Sequence, residues 1–278
     1  MLNRMILLTA FFLPALGLGA QQLPPQSGAG SSWTLPHDTA VRDNGPRTYR
    51  LTVIYNTTGP TGQIVLRQRV TGDYTRGLSD GQVEWNNVTE ENAGGDTAPF
   101  APPQKSAYMD GFRYRGDADT LAPGFFKSFP DSAYFERNLS WDTQMFETFA
   151  RKFLDKLELN QPLHVVSEQD VNLPQMGTFH NRDVVLEWVG RSERNGQECA
   201  LIDYRAFFNP VQIAAGGMTM NARSDYWGEI WISLATRQIE YATLYEEVAG
   251  QMKLPSQDAP QPMNIFRIGS FEPLTTGK

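Results

Sequence analysis

Cysteine is nearly absent from this chain: among 278 residues there is one, Cys199, in "NGQECALIDYR". An intramolecular disulfide is therefore excluded, and stability must come from the apolar core. No base motif accompanies Cys199, so a buried thiol in a strand is the expected state. Positive charge is also short, with 24 Lys and Arg against 31 Asp and Glu, a net of −7. A surface of that sign repels phosphate backbones and no basic cluster overrides it, so no nucleic-acid partner is expected. From residue 21 onward no apolar run is long enough to span a bilayer as a helix. Catalytic signatures are missing too: there is no G-x-S-x-G elbow, H-E-x-x-H helix, Walker loop or dinucleotide fingerprint. The three histidines are His37, His164 and His180. His180 and Asp183 stand three apart, which puts them on opposite faces of a strand, so no metal site is expected. No cofactor is expected either.

What is present begins with Arg4, an apolar run over 5–19, and small residues at Gly17, Gly19 and Ala20. This is the layout of a secretory signal peptide over 1–20, cleaved near Ala20, and it predicts a secreted or periplasmic protein. No cysteine at the cleavage point is available for a lipid anchor. Residues 21–46, rich in Gln, Pro, Ser and Gly, read as a flexible leader. Residues 47–278 read as a single β-rich domain with a Pro/Gly-rich loop at 94–104.

Alternation supports the β reading. In "RTYRLTVIY", Tyr49, Leu51, Val53 and Tyr55 take every second position. Asp80-Gly81 and Asn195-Gly196 are hairpin turns, because both residue types accept positive φ. One long helix is expected over 140–160, with Met145, Phe146, Phe149, Phe153, Leu154 and Leu157 on one stripe. Ser140 or Asp142 is its expected N-cap, and Pro162 follows its end. The predicted class is α+β, predominantly antiparallel: a curved sheet or half-barrel meander packed on that amphipathic helix. Whether the two β regions share one sheet stays open.

The stretch "YWGEIWISLATRQIEYATLYEEV" over 226–248 is apolar on both sides. Tyr226, Ile230, Ile232 and Leu234 share one face, and Trp227, Glu229, Trp231 and Ser233 the other. On the second arm Ile239, Tyr241, Thr243 and Tyr245 oppose Glu240, Ala242, Leu244 and Val248. A sheet apolar on both faces must be at least partly covered on both. The helix over 140–160 is the expected cover of the aromatic side, with Trp231 its anchor. The other reading is a groove left open, in which Trp227, Glu229, Trp231, Tyr241, Thr243 and Tyr245 are candidate ligand contacts. That mixture suits an amphiphile or a sugar ring.

The runs "GTFHNRDVVLEWVG", "NGQECALIDYR" and "YWGEIWISLATRQIEYATLYEEV" together resemble a set of secreted bacterial proteins with no assigned activity. That resemblance implies export and transfers no catalytic residue. The strand pair "GEIWISLATRQIEYA" is similar to lipoprotein-carrier folds of the LolA and LppX type. This implies a curved antiparallel sheet wrapped around helices, with lipid in the hollow.

The carboxylates carry the alternative function. Asp131, Glu136 and Asp142 flank the aromatic run "FPDSAYFERNLSWD", and Glu229 lies between two tryptophans. Glycoside hydrolysis needs two carboxyl groups roughly 5–10 Å apart beside a platform for the sugar. The preferred expectation is an extracytoplasmic, non-catalytic protein that binds an apolar or amphiphilic ligand, or an envelope partner, on the aromatic sheet face. The expected partner is a lipid, an amphiphile or a glycan; the alternative is a carbohydrate-active hydrolase.

Overall fold

The computed structural model describes residues 34–274 apart from 36–39, 43–44, 123, 174–175 and 216. The signal segment expected at 1–20, most of the leader at 21–46, and His37 lie outside the described residues. Leu35, at the edge of that leader, is buried in the core.

Among the described residues, eleven strands and one α-helix follow in chain order. They are β1 (Arg47–Thr58), β2 (Ile64–Arg76), β3 (Gln82–Gly94), β4 (Gln104–Lys105), β5 (Phe112–Arg115), α1 (Tyr134–Arg151) and β6 (Pro162–Leu173). After them come β7 (Gly177–Arg194), β8 (Gln197–Ala215), β9 (Met218–Ser233), β10 (Ile239–Lys253) and β11 (Gln261–Pro273). The eleven described strands belong to one open, antiparallel, curved sheet in the order β4-β3-β2-β1-β11-β10-β9-β8-β7-β6, with β5 also on β3. The seam is β1 against β11, where Leu51 faces Phe271 and Tyr55 faces Arg267. That pairing joins the two β regions, so they form one sheet.

Local chemistry explains the turns. Asn195 and Gly196 have φ of 52° and 70°, a conformation most side chains avoid but Asn and Gly accept. Asp80 and Gly81 do the same between β2 and β3, at 58° and 68°.

The inner face of the sheet holds Tyr49, Leu51, Trp85, Leu186, Trp188, Ile202, Tyr204, Ile230, Ile232, Leu244 and Phe271, all buried. Helix α1 lays Leu139, Phe146, Phe149 and Ala150 on them. The Phe146 ring stacks on Phe271 at 5.6 Å, and Phe149 meets Tyr204 at 5.4 Å. An aromatic cluster of Tyr108, Phe112, Tyr114, Phe125, Phe126 and Phe129 extends this layer over β3 and β5, and Trp141 of α1 touches Phe126 at 5.8 Å. The hollow that the carrier resemblance implies is thus packed with the protein's own side chains.

The helix departs from expectation in three ways. It is a short element of 18 residues, Tyr134–Arg151, and not a long helix over 140–160. After Lys152 the chain leaves the helix for a 3-10 turn at Leu154–Lys156, which buries Leu154 and Leu157 in the core while Asp155 and Lys156 stay exposed. Packing of those two leucines overrides the helical propensity of the segment. Ser140 and Asp142 are not caps; they are buried mid-helix, and the cap position falls on Ala133 without a side-chain bond. Nor is the buried side one apolar stripe, since Glu136, Arg137, Ser140, Asp142 and Thr143 are buried as well.

A further correction concerns the face. The helix covers the side of β9 that carries Tyr226, Ile230 and Ile232, not the side with Trp227 and Trp231. Strand alternation forces the choice: the helix must meet the face on which all the central strands are apolar together.

Candidate binding face

Pairing of β9 with β10 sets Trp227 opposite Tyr245 and Trp231 opposite Tyr241. Both pairs therefore sit on the outer face, away from α1. Trp227, Glu229, Trp231, Tyr241 and Tyr245 are half-buried, and Thr243 is buried with its Oγ1 accepting the Glu229 amide at 3.1 Å. All six candidate residues thus share one surface. The Trp227 and Tyr245 rings stack at 5.9 Å and 22°, while Trp231 and Tyr241 meet at 5.4 Å, tilted by 58°.

The face is wider than the sequence suggested. Phe207 and Phe266 approach the Trp227 ring at 6.3 and 6.4 Å, and Ile268 lies opposite Tyr245 on β11. Phe207 is 41% exposed, Phe208 59% and Ile268 39%, so an apolar patch is open to solvent here. A β-bulge between Ala206 and Asn209 interrupts the alternation of β8 and leaves Phe207 and Phe208 both exposed. Phe266 and Ile268 were readable as alternating positions of "MNIFRIGSF", but nothing local said which face they would join. Phe207 keeps the alternation of Asp203 and Arg205, but nothing local said that their face would join that of Trp227; the bulge takes only the residues after it out of phase.

Polar groups interrupt the aromatics. Asp203 of β8 is directly opposite Glu229 of β9, and Arg205 is opposite Trp227. An open depression of about 360 Å³ is lined by Asp203, Arg205, Phe207, Trp227, Glu229 and Tyr245. Partial burial holds the Glu229 carboxyl above the usual carboxylate range, and the neighbouring Asp203 adds to the effect. Asp203 is raised for the same first reason, opposed by Arg205 and reinforced by Glu187. Arg205 itself reaches Glu187 on β7 at 3.4 Å.

The carboxylates considered for hydrolysis are not assembled. Asp131 is exposed, whereas Glu136 accepts from Ser106 Oγ at 2.5 Å in the interior. Asp142 pairs with Arg267 at 2.5 Å, on the inner side of the sheet from Glu229. The true neighbour of Glu229 is Asp203, beside it on the next strand rather than across a cleft.

The histidines also have local partners. His164 Nδ1 lies 2.9 Å from Asp183, and His180 lies 2.5 Å from Asp170 and 2.7 Å from Glu168. Asp170 first and then Glu168 raise the His180 pKa. Among the described residues no group of three or more His, Cys, Asp or Glu is arranged to hold a metal ion, and no helix is long and apolar enough to cross a membrane.

No family model and no curated protein matches the chain. Among solved structures it is similar to a lipovitellin structure described as showing lipid–protein interactions in lipovitellin, with 12% identity and a TM-score of 0.42. The match covers 83% of this chain and 25% of that one, so the chain spans about a quarter of that protein's length.

Proposed function

We propose that this is an extracytoplasmic, non-catalytic binding protein whose outer sheet face takes an amphiphilic ligand. One observation carries the reading: α1 occupies the inner face, while Trp227, Tyr245, Phe207 and Phe266 form a contiguous aromatic surface on the other. Apolar groups clustered in the open and rimmed by polar ones are the usual mark of a binding surface. The rim is Asp203, Arg205 and Glu229, which gives an amphiphile one surface for its chain and another for its head. Hydrolysis is less well supported, because the two acids stand side by side with no cleft between them. Export rests on the charge and apolar pattern of residues 1–20.

Native mass spectrometry of protein purified from its own host tests both parts. The expected result is a chain lacking residues 1–20 that carries a small amphiphile, and a Trp227→Ala chain that carries none. A bare wild-type chain that also fails to bind added detergent monomers overturns the binding reading. An intact residue 1 in the purified chain overturns export.

A further inference from the structure

The two Trp–Tyr pairs of the outer face have the same register but different occupancy. The Arg194 guanidinium lies 3.9 Å from the Tyr241 ring centroid and 5.9 Å from that of Trp231, so this pair already holds a cation. Among the described residues no cation stands over the Trp227–Tyr245 pair, although its rings are stacked at 5.9 Å.

Charge beside the vacant pair is unbalanced. Asp203 and Glu229 stand in directly opposed positions on neighbouring strands. Neither carboxylate has a hydrogen-bond or ion-pair partner among the described residues. Like charges in that relationship destabilise a sheet, so the pair is not explained by folding. Arg205, the one cation lining the depression among the described residues, attracts Asp203 but forms its ion pair with Glu187, which leaves the two carboxylates and Glu187 sharing a single positive charge. A purely apolar ligand laid here would withdraw two carboxylates from water without supplying either with a partner. A positively charged group suits both features at once, since a ring face attracts cations and so do the acids.

We infer that the ligand of this face is an amphiphile with an ammonium head, seated between Asp203 and Glu229 against the Trp227 and Tyr245 rings. Its apolar chain runs over Phe207, Phe266 and Ile268. This assignment rests on the aromatic face being the binding surface, as proposed above.

Isothermal titration calorimetry with two probes of equal chain length separates the two ideas: dodecyltrimethylammonium and dodecyl maltoside, both kept below micelle formation. Wild-type protein is expected to bind the ammonium probe about tenfold more tightly, the scale of a cation–π contact joined to an ion pair. In the double variant Asp203→Asn, Glu229→Gln the ammonium probe is expected to fall to the maltoside level, with maltoside affinity kept. Trp227→Ala is expected to weaken both. Thermal melting shows that the variants are folded; removing opposed like charges is not expected to lower Tm. Equal affinity of wild type for the two probes, or a preference that survives in the double variant, overturns the ammonium assignment and leaves the aromatic face standing. Failure of both probes to bind, or unchanged binding of both by Trp227→Ala, overturns the assignment together with the reading beneath it.

Discussion

The Tyr204 hydroxyl on β8 donates to the Thr243 carbonyl on β10 at 2.6 Å, passing across Gly228 on the strand between them. A Cβ on Gly228 would lie 2.1 Å from that carbonyl oxygen and 2.6 Å from the hydroxyl. The glycine is there for close approach, since backbone cannot yield as a flexible side chain does. Gly228→Ala is therefore expected to cost about 3 kcal/mol in denaturant unfolding, from overpacking and the lost bond. A loss below about 1 kcal/mol would show that the strands can part without penalty.

Phe149 sits under α1 against Tyr204 and is buried. Phe149→Asp removes a ring from the core and puts a carboxylate in its place. The expected loss is about 5 kcal/mol or more, comparable with the whole stability of an ordinary domain. An unchanged Tm would refute the packing of this helix on the sheet.

Trp231 tests the opposite face. Its ring is half-buried and touches Tyr241 and Arg194, with no helix over it. Trp231→Ala is expected to cost only about 1–2 kcal/mol in denaturant unfolding, within the range of most substitutions. A loss above about 3 kcal/mol would mean that it anchors a core after all.

Asp142 carries a pH dependence. It is buried between α1 and the sheet, and its partner Arg267 also binds Glu246. Burial pushes its pKa up to about 6, against the attraction of Arg267 and with Glu246 adding to the rise. An ordinary aspartate in the unfolded chain titrates near 3.9, so between those values the folded state binds the extra proton. The stabilisation is complete below about pH 4 and is lost as pH rises through about 6. Wild type should therefore lose about 2–3 kcal/mol relative to Asp142→Asn between about pH 4 and pH 7, read by urea unfolding at each pH. A difference that does not vary with pH would exclude Asp142 as the titrating group.

Cys199 is buried, and burial first, then Glu240, pushes its thiol up to about 11. Iodoacetamide at about pH 8 should leave the folded protein unmodified and label it fully in denaturant, because the thiolate is the reactive form. Rapid labelling of the native protein would place Cys199 at an accessible position.

Period and turn chemistry alone determined much of this molecule. Alternation in "RTYRLTVIY" already separates Tyr49, Leu51, Val53 and Tyr55 from their polar neighbours, and Asn195-Gly196 already specifies a hairpin. The apolar character of Phe146, Phe149, Leu154 and Leu157 was equally legible, and all four are buried. Those signals are local, and local backbone preference is enough to set them.

Three things waited for the tertiary structure. The seam of β1 with β11 joins segments some two hundred residues apart, and no short-range pattern records such a pairing. Both faces of β9 read as apolar, so only the combined inner rows of the central strands could decide that α1 covers Ile230 and leaves Trp231 in the open. Asp203 and Glu229 became neighbours through strand register, and the same pairing of β8 with β9 set Phe207 beside Trp227. A side chain's face follows from its own strand, but its neighbours follow from which strands pair, and long-range packing alone selects that.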